Sequence, residues 1–226
     1  MTNSKEHSEY IESGIAKLEA KDYEGAIDDF NKAIEINPNP DFIYNRGLAK
    51  FNYRDYEGAL KDFNSSINID ASISDYFVKR GDTKHALKDL DGALHDFKMA
   101  LELDPWNSDG WINLGNLYDH MGNPNKAVDQ YLCALKINPK DIDALYNLGV
   151  AWKNLGKLKK AIKCCDYVLK INPEYLPAII NRASYKWDLE DYKSSKKDYA
   201  LAVSIDKGWV FNVLGEKINN RLPDTY

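Results

Sequence analysis

The sequence predicts an all-α protein made of stacked antiparallel helix pairs, and three observations predict it. Gly14, Gly47, Gly81, Gly115 and Gly149 fall 33, 34, 34 and 34 residues apart, with Ala183 in the next slot. Twelve residues after each stands a small residue, Ala26, Ala59, Ala93, Ala127, Ala161 or Ser195. Four further on comes Phe30, Phe63, Phe97, Tyr131, Cys165 or Tyr199. Within each period, apolar residues recur at spacings of three and four on both sides of a turn, the pattern of two amphipathic helices. Six units in one register follow, at about 7–40, 41–73, 74–107, 108–141, 142–175 and 176–207.

Each recurrent position has a physical reason. Glycine inside a helix costs roughly 1 kcal/mol relative to alanine, so five at one offset mark a place where a neighbour must come close. The small residue twelve later serves the same approach from the facing helix, and the aromatic is expected to fill the gap left between repeats. Pro38, Pro105, Pro139 and Pro173 close four of the units, since proline cannot continue a helix interior. One helix pair cannot bury its apolar face alone, whereas stacked pairs share a core.

Residues 1–6 read as a flexible tail and residues 7–226 as a single repeat domain, because no Gly/Ser- or Pro-rich linker interrupts them. Phe211, Leu214, Gly215 and Ile218 repeat the first-helix pattern with no second helix after them, so 208–222 reads as a capping helix with a polar outer face.

Composition bounds the function. Hydrophobic residues make up 44% and charged residues 29%, as in folded proteins. The net charge of −5 disfavours nonspecific nucleic-acid binding. It is unevenly placed: residues 1–141 hold 16 Lys/Arg against 25 Asp/Glu and residues 142–226 hold 14 against 10, giving −9 and +4. No apolar run is long enough for a membrane span, and the polar N-terminus does not resemble a targeting segment. Cys133, Cys164 and Cys165 form no disulfide framework, so a reducing cytoplasm is the simplest compartment. His7, His85, His95 and His120 match no metal-ligand spacing, and the recurrent glycines lie within helices rather than in a phosphate loop. No catalytic, cofactor-binding or metal constellation is expected. The chain reads as a non-enzyme without cofactors.

The stretch Trp111 to Pro139 carries the repeat most fully: Trp111, Leu114, Gly115, Tyr118, Ala127, Tyr131, Ala134 and Pro139. It resembles the tetratricopeptide repeat, a helix–turn–helix unit of about 34 residues with the pattern W-x2-L-G-x2-Y, then A, F and P. Departures include Arg46, Arg80 and Arg182 where leucine is usual, and Cys165 with Val168 where an aromatic and alanine are usual.

The resemblance implies a right-handed superhelical solenoid whose first helices, here helices A, line a concave, peptide-binding groove. By register, the inward positions include Tyr44, Asn45, Lys79, Asp109, Ile112, Asn113, Asn116, Asp119, His120, Tyr146, Asn147, Asn181 and Trp187. Asn45, Asn113, Asn147 and Asn181 occupy one slot, and an amide offers both donors and an acceptor to a peptide backbone. Asp41, Asp75, Asp109 and Asp143 fall in another slot that also suits helix capping. The inward charges are mostly carboxylates, so the groove is expected to be acidic. A clamp for acidic chaperone tails needs cations that the first three repeats do not supply.

A noncatalytic protein-interaction module for a neutral-to-basic protein or peptide ligand follows. No nucleic acid and no membrane are expected as partners, and the chain is expected as a monomer or weak homo-oligomer. Two other readings stay open: a structural protein associating head to tail, and an accessory subunit of an enzyme encoded elsewhere.

Overall fold

The computed structural model describes residues 2–208, and among these it contains twelve helices and no strand. The helices pair as α1 (Thr2–Glu19) with α2 (Tyr23–Ile36), α3 (Pro40–Asn52) with α4 (Tyr56–Ile69), and α5 (Ser74–Ala86) with α6 (Leu90–Leu103). Then follow α7 (Ser108–His120) and α8 (Pro124–Ile137), α9 (Ile142–Asn154) and α10 (Leu158–Ile171), and α11 (Leu176–Asp188) and α12 (Tyr192–Ile205). From the second repeat on, helices A open at Pro40, Ser74, Ser108, Ile142 and Leu176. The stretch expected as a loose tail is helical from Thr2 onward, since no glycine or proline interrupts it before Gly14. The capping helix expected at 208–222 lies outside the described residues.

Contacts gather the described residues into two compact units that divide between Leu117 and Tyr118, inside α7, whereas the sequence suggests one domain. In the first unit α1 packs on α2, α2 on α3, α3 on α4, α4 on α5 and α5 on α6. In the second, α8 packs on α9, α9 on α10, α10 on α11 and α11 on α12.

The recurrent glycines mark close approaches within a repeat. A Cβ on Gly47 would come within 2.7 Å of the Phe63 ring, and one on Gly81 within 2.7 Å of the Phe97 ring. The aromatic therefore fills the space over the glycine of its own repeat rather than a gap between repeats. Phe30, Phe63, Phe97, Tyr131 and Tyr199 are fully buried in this slot. Cys165 takes the slot in the fifth repeat and is buried beside Val168. Burial pushes the Cys164 thiol up to about 11 and the Cys165 thiol up to about 12, which leaves both as unreactive core groups.

Buried carboxylates on helices B divide the repeats into two kinds. Arg46 binds Asp62 through Nε at 2.9 Å and Nη2 at 2.6 Å, and Lys50 adds a third contact at 2.8 Å. Arg80, Lys84 and Asp96 repeat the arrangement, as do Arg182, Lys186 and Asp198. In the first repeat Ser13 and Lys17 hold Asp29, each at 2.6 Å. Repeats four and five carry Leu114, Tyr118 and Gln130, or Leu148, Trp152 and Cys164, at the same three positions.

Each arginine also reaches back to the preceding helix B. The Nη1 groups of Arg46, Arg80 and Arg182 donate to Asn31, Asn64 and Asp166 at 2.7, 2.9 and 2.8 Å. The planar guanidinium thus ties three elements together, which a lysine at that position could not do.

The turns between helices A and B split the same way. Each places one residue at positive φ: Lys21, Arg54, Lys88 and Glu190 in repeats one, two, three and six, but Gly122 and Gly156 in four and five. After the non-glycine turns, Asp22, Asp55, Asp89 and Asp191 cap helix B by accepting from the backbone N–H of Gly25, Gly58, Gly92 and Ser194. At the corresponding positions Asn123 and Lys157 make no such side-chain bond. Pro38, Pro105, Pro139 and Pro173 each fall two residues beyond the end of a helix B.

Candidate functional site

Helices A position the candidate residues because the glycine, alanine and aromatic slots fix which side of each helix is buried. By register, the remaining positions of α3, α5 and the start of α7 make one candidate face in the first unit. A second face runs along α9 and α11 in the other unit.

On the first face, Tyr44 is half-buried and tilted against Tyr76, ring centroids 4.9 Å apart. Burial pushes its hydroxyl well above the usual tyrosine range, and the fields of Asp75, Asp82 and Asp109 add to the rise. Tyr44 thus lies in the combined field of three carboxylates. Asp82 is itself displaced: burial raises its carboxyl, Lys79 at 3.2 Å opposes the rise, and Asp109 adds to it. Asp75 accepts a bond from the Asn107 amide at 2.8 Å, and the Tyr76 hydroxyl donates to Asp41. Asn45 and Asn113 are half-buried, and Asp109 is exposed. Ile112 is only 9% exposed and belongs to the core beneath, as does Val78.

Asn116 is half-buried near the C-terminal half of α7. Asp119 sits on the last turn of that helix, where it accepts from the buried Tyr131 hydroxyl at 3.1 Å. Burial raises the Asp119 carboxyl and the Tyr131 bond partly offsets this. Its Oδ1 is buried without a hydrogen bond. Asp119 therefore serves the core, since a tyrosine in the aromatic slot brings a hydroxyl that needs a partner. His120 beside it is exposed.

On the second face, Tyr146 and Asn181 hydrogen-bond across adjacent repeats. Tyr146 also meets Tyr175 edge to face at 5.9 Å, and Asp143 adds to the upward displacement that burial gives Tyr175. Asn147 is half-buried on the same helix as Tyr146. Trp187 lies at the far end of α11, edge to face with Tyr192 at 4.8 Å. Tyr146 and Asn181 come together as neighbours, while Trp187 belongs to a separate aromatic pair.

Register arguments missed Tyr76 and Tyr175, which complete the aromatic clusters around Tyr44 and Tyr146. Both lie off the inward positions. The available signal was an aromatic residue within three residues of a helix A start, at Tyr76 after Ser74 and at Tyr175 before Leu176. Among the described residues no group of three metal-ligating side chains comes together, and no helix is long and apolar enough to cross a membrane.

The repeated helix pairs define an α-helical repeat protein. Two models of the tetratricopeptide repeat match the chain, one over residues 108–141 and 142–175 and the other over 10–40 and 176–208. The chain belongs to the tetratricopeptide repeat family. Proteins of this family are generally noncatalytic scaffolds that bind peptides or proteins.

No curated protein matches the sequence. Among solved structures, Pseudomonas aeruginosa pilF is 15% identical with a TM-score of 0.80, covering 96% of this chain and 100% of that one. YrrB, described as a TPR protein with an unusual peptide-binding site, is 21% identical with a TM-score of 0.66, over 83% of this chain and 97% of that one. A chain of the APC/C hetero-tetramer Cut9-Hcn1 is 14% identical with a TM-score of 0.78, over 93% of this chain and 42% of that one. At these identities the likeness concerns the fold.

Proposed function

We propose that the helix A faces bind an extended or helical protein segment of neutral-to-basic character, without catalysis and in the cytoplasm. The observation that carries this reading is Tyr44, half-buried against Tyr76 and in the combined field of Asp75, Asp82 and Asp109. A ligand cation placed there meets carboxylates and an aromatic ring together, two complementary attractions. Lys79, the cation in the middle of that face, is already engaged by Asp82. The half-buried asparagines Asn45, Asn113, Asn147 and Asn181 suit backbone pairing irrespective of ligand sequence. The YrrB description supports peptide binding by a protein of this fold, and comes to this chain by analogy.

Selection of a displayed peptide library against the full chain tests the proposal. Lysine- or arginine-containing peptides should be enriched, and their affinity should fall at least about tenfold in the Asn113→Ala/Asn147→Ala double variant, with circular dichroism unchanged. Enrichment of acidic peptides, or equal affinity in the variant, would overturn the assignment.

A further inference from the structure

The solvent side of the fifth repeat carries a surface of opposite character to the first face. α10 turns Ala161, Cys164, Cys165 and Val168 inward and leaves Lys159, Lys160, Lys163, Tyr167 and Lys170 exposed. Spacings of three and four place these on one stripe. Asp166, the single acid in the helix, is held by Arg182 at 2.8 Å. No carboxylate of α10 is left to neutralise the stripe.

The stripe ends in a recess. Tyr167, Lys170 and Ile171 combine with Pro139, Lys140 and Leu145 to line an open depression of about 460 Å³. Tyr167 is 55% exposed with Lys170 over its ring at 5.2 Å, and Ile171 is 39% exposed. An apolar floor rimmed by lysines is the usual make-up of an interface anchor site, where a bulky apolar side chain is desolvated and charges at the rim select the partner. A nucleic acid would satisfy the lysines but leave Pro139, Leu145 and Ile171 uncovered.

We propose that this surface binds an acidic, amphipathic segment of a partner protein, with one large apolar side chain in the recess and carboxylates facing Lys140, Lys163 and Lys170. It is independent of the helix A faces, so one chain engages a basic and an acidic segment at different places.

The probe is a fluorescein-labelled helical peptide with leucines along one face and glutamates along the other, titrated into the full chain by fluorescence anisotropy. Saturable binding is expected. Tyr167→Ala and Lys170→Glu should each weaken it at least about tenfold, while the Asn113→Ala/Asn147→Ala variant binds as the parent does. Both substituted residues are exposed, so unchanged circular dichroism is expected. Four results overturn the proposal. A scrambled peptide of the same composition binding equally would reduce the effect to charge. A single-stranded oligonucleotide binding more tightly, with the same variants weakened, would make the surface a nucleic-acid site. Loss of binding in the asparagine variant would move the peptide to the helix A faces. Concentration-dependent self-association in sedimentation, abolished by Lys170→Glu, would make the occupant a second copy.

Discussion

Asp96 is fully buried and holds a bidentate arginine and a lysine at once. Removing the carboxylate would leave two cations facing one another in a poorly hydrated space, and breaking such a set typically costs about 3–5 kcal/mol. Asp96→Ala should therefore lower the urea midpoint far more than an exposed acid such as Asp91→Ala, which touches no core group. Asp29 makes a related prediction in pH. Burial raises its carboxyl, but bonds from Lys17 and Ser13 outweigh this and hold it below the ordinary aspartate range. A folded-state value below the unfolded one gives stability that is fully present above the ordinary aspartate range and lost as pH falls through the depressed value. Denaturation midpoints measured from neutral pH downward should drop more steeply for the parent than for Asp29→Asn.

These carboxylates also mark where sequence reading stops. Arg46, Arg80 and Arg182 stand out as departures from leucine, yet their partners lie sixteen residues away on another helix and pass for ordinary surface acids of an amphipathic face. The pairing is tertiary, and its trace is a joint change at three positions. A cation just before the central Gly/Ala slot and another three after it accompany an aspartate fifteen after it in repeats two, three and six. Tyr44 was legible from register, whereas its contact with Tyr76 depends on how consecutive repeats stack.

At the scale of the element, the turns are the informative feature. Lys88 holds φ of +68° without being glycine, and the left-handed region costs an L-residue roughly 1–2 kcal/mol. Glycine would remove that cost and lose part of the gain to the greater freedom of the unfolded chain. Lys88→Gly should thus stabilise the protein by about 0.5–1 kcal/mol, read as a higher melting temperature. The same change at Gly122 or Gly156 has already been made by the sequence. Helix positions were legible because glycine and aromatic slots encode a contact inside one repeat. The capping aspartates were legible only as acids near a helix start, since the bond to Gly92 needs the turn geometry that Lys88 creates.

For the whole molecule, the two proposed surfaces differ in charge. The first unit presents carboxylates around Tyr44, and the fifth repeat presents lysines around Tyr167. The sequence-level imbalance of −9 and +4 foreshadowed this, but lysines on a helix B look like a solvated face until the neighbouring recess is seen. Fold and register could be read from one chain because a repeat states its packing six times. A binding site is stated once, at positions the repeat leaves free, so its partners carry no internal echo.

The arginine that reaches back to the preceding helix gives the array a syntax. On the preceding helix B, Asn31, Asn64 and Asp166 accept from Arg46, Arg80 and Arg182, while Lys98 and Leu132 occupy that position ahead of Leu114 and Leu148. A repeat is therefore written for the neighbour before it. Shuffling repeat two to follow repeat three would set its arginine against Lys98, so these units are words in an ordered sentence and not interchangeable beads.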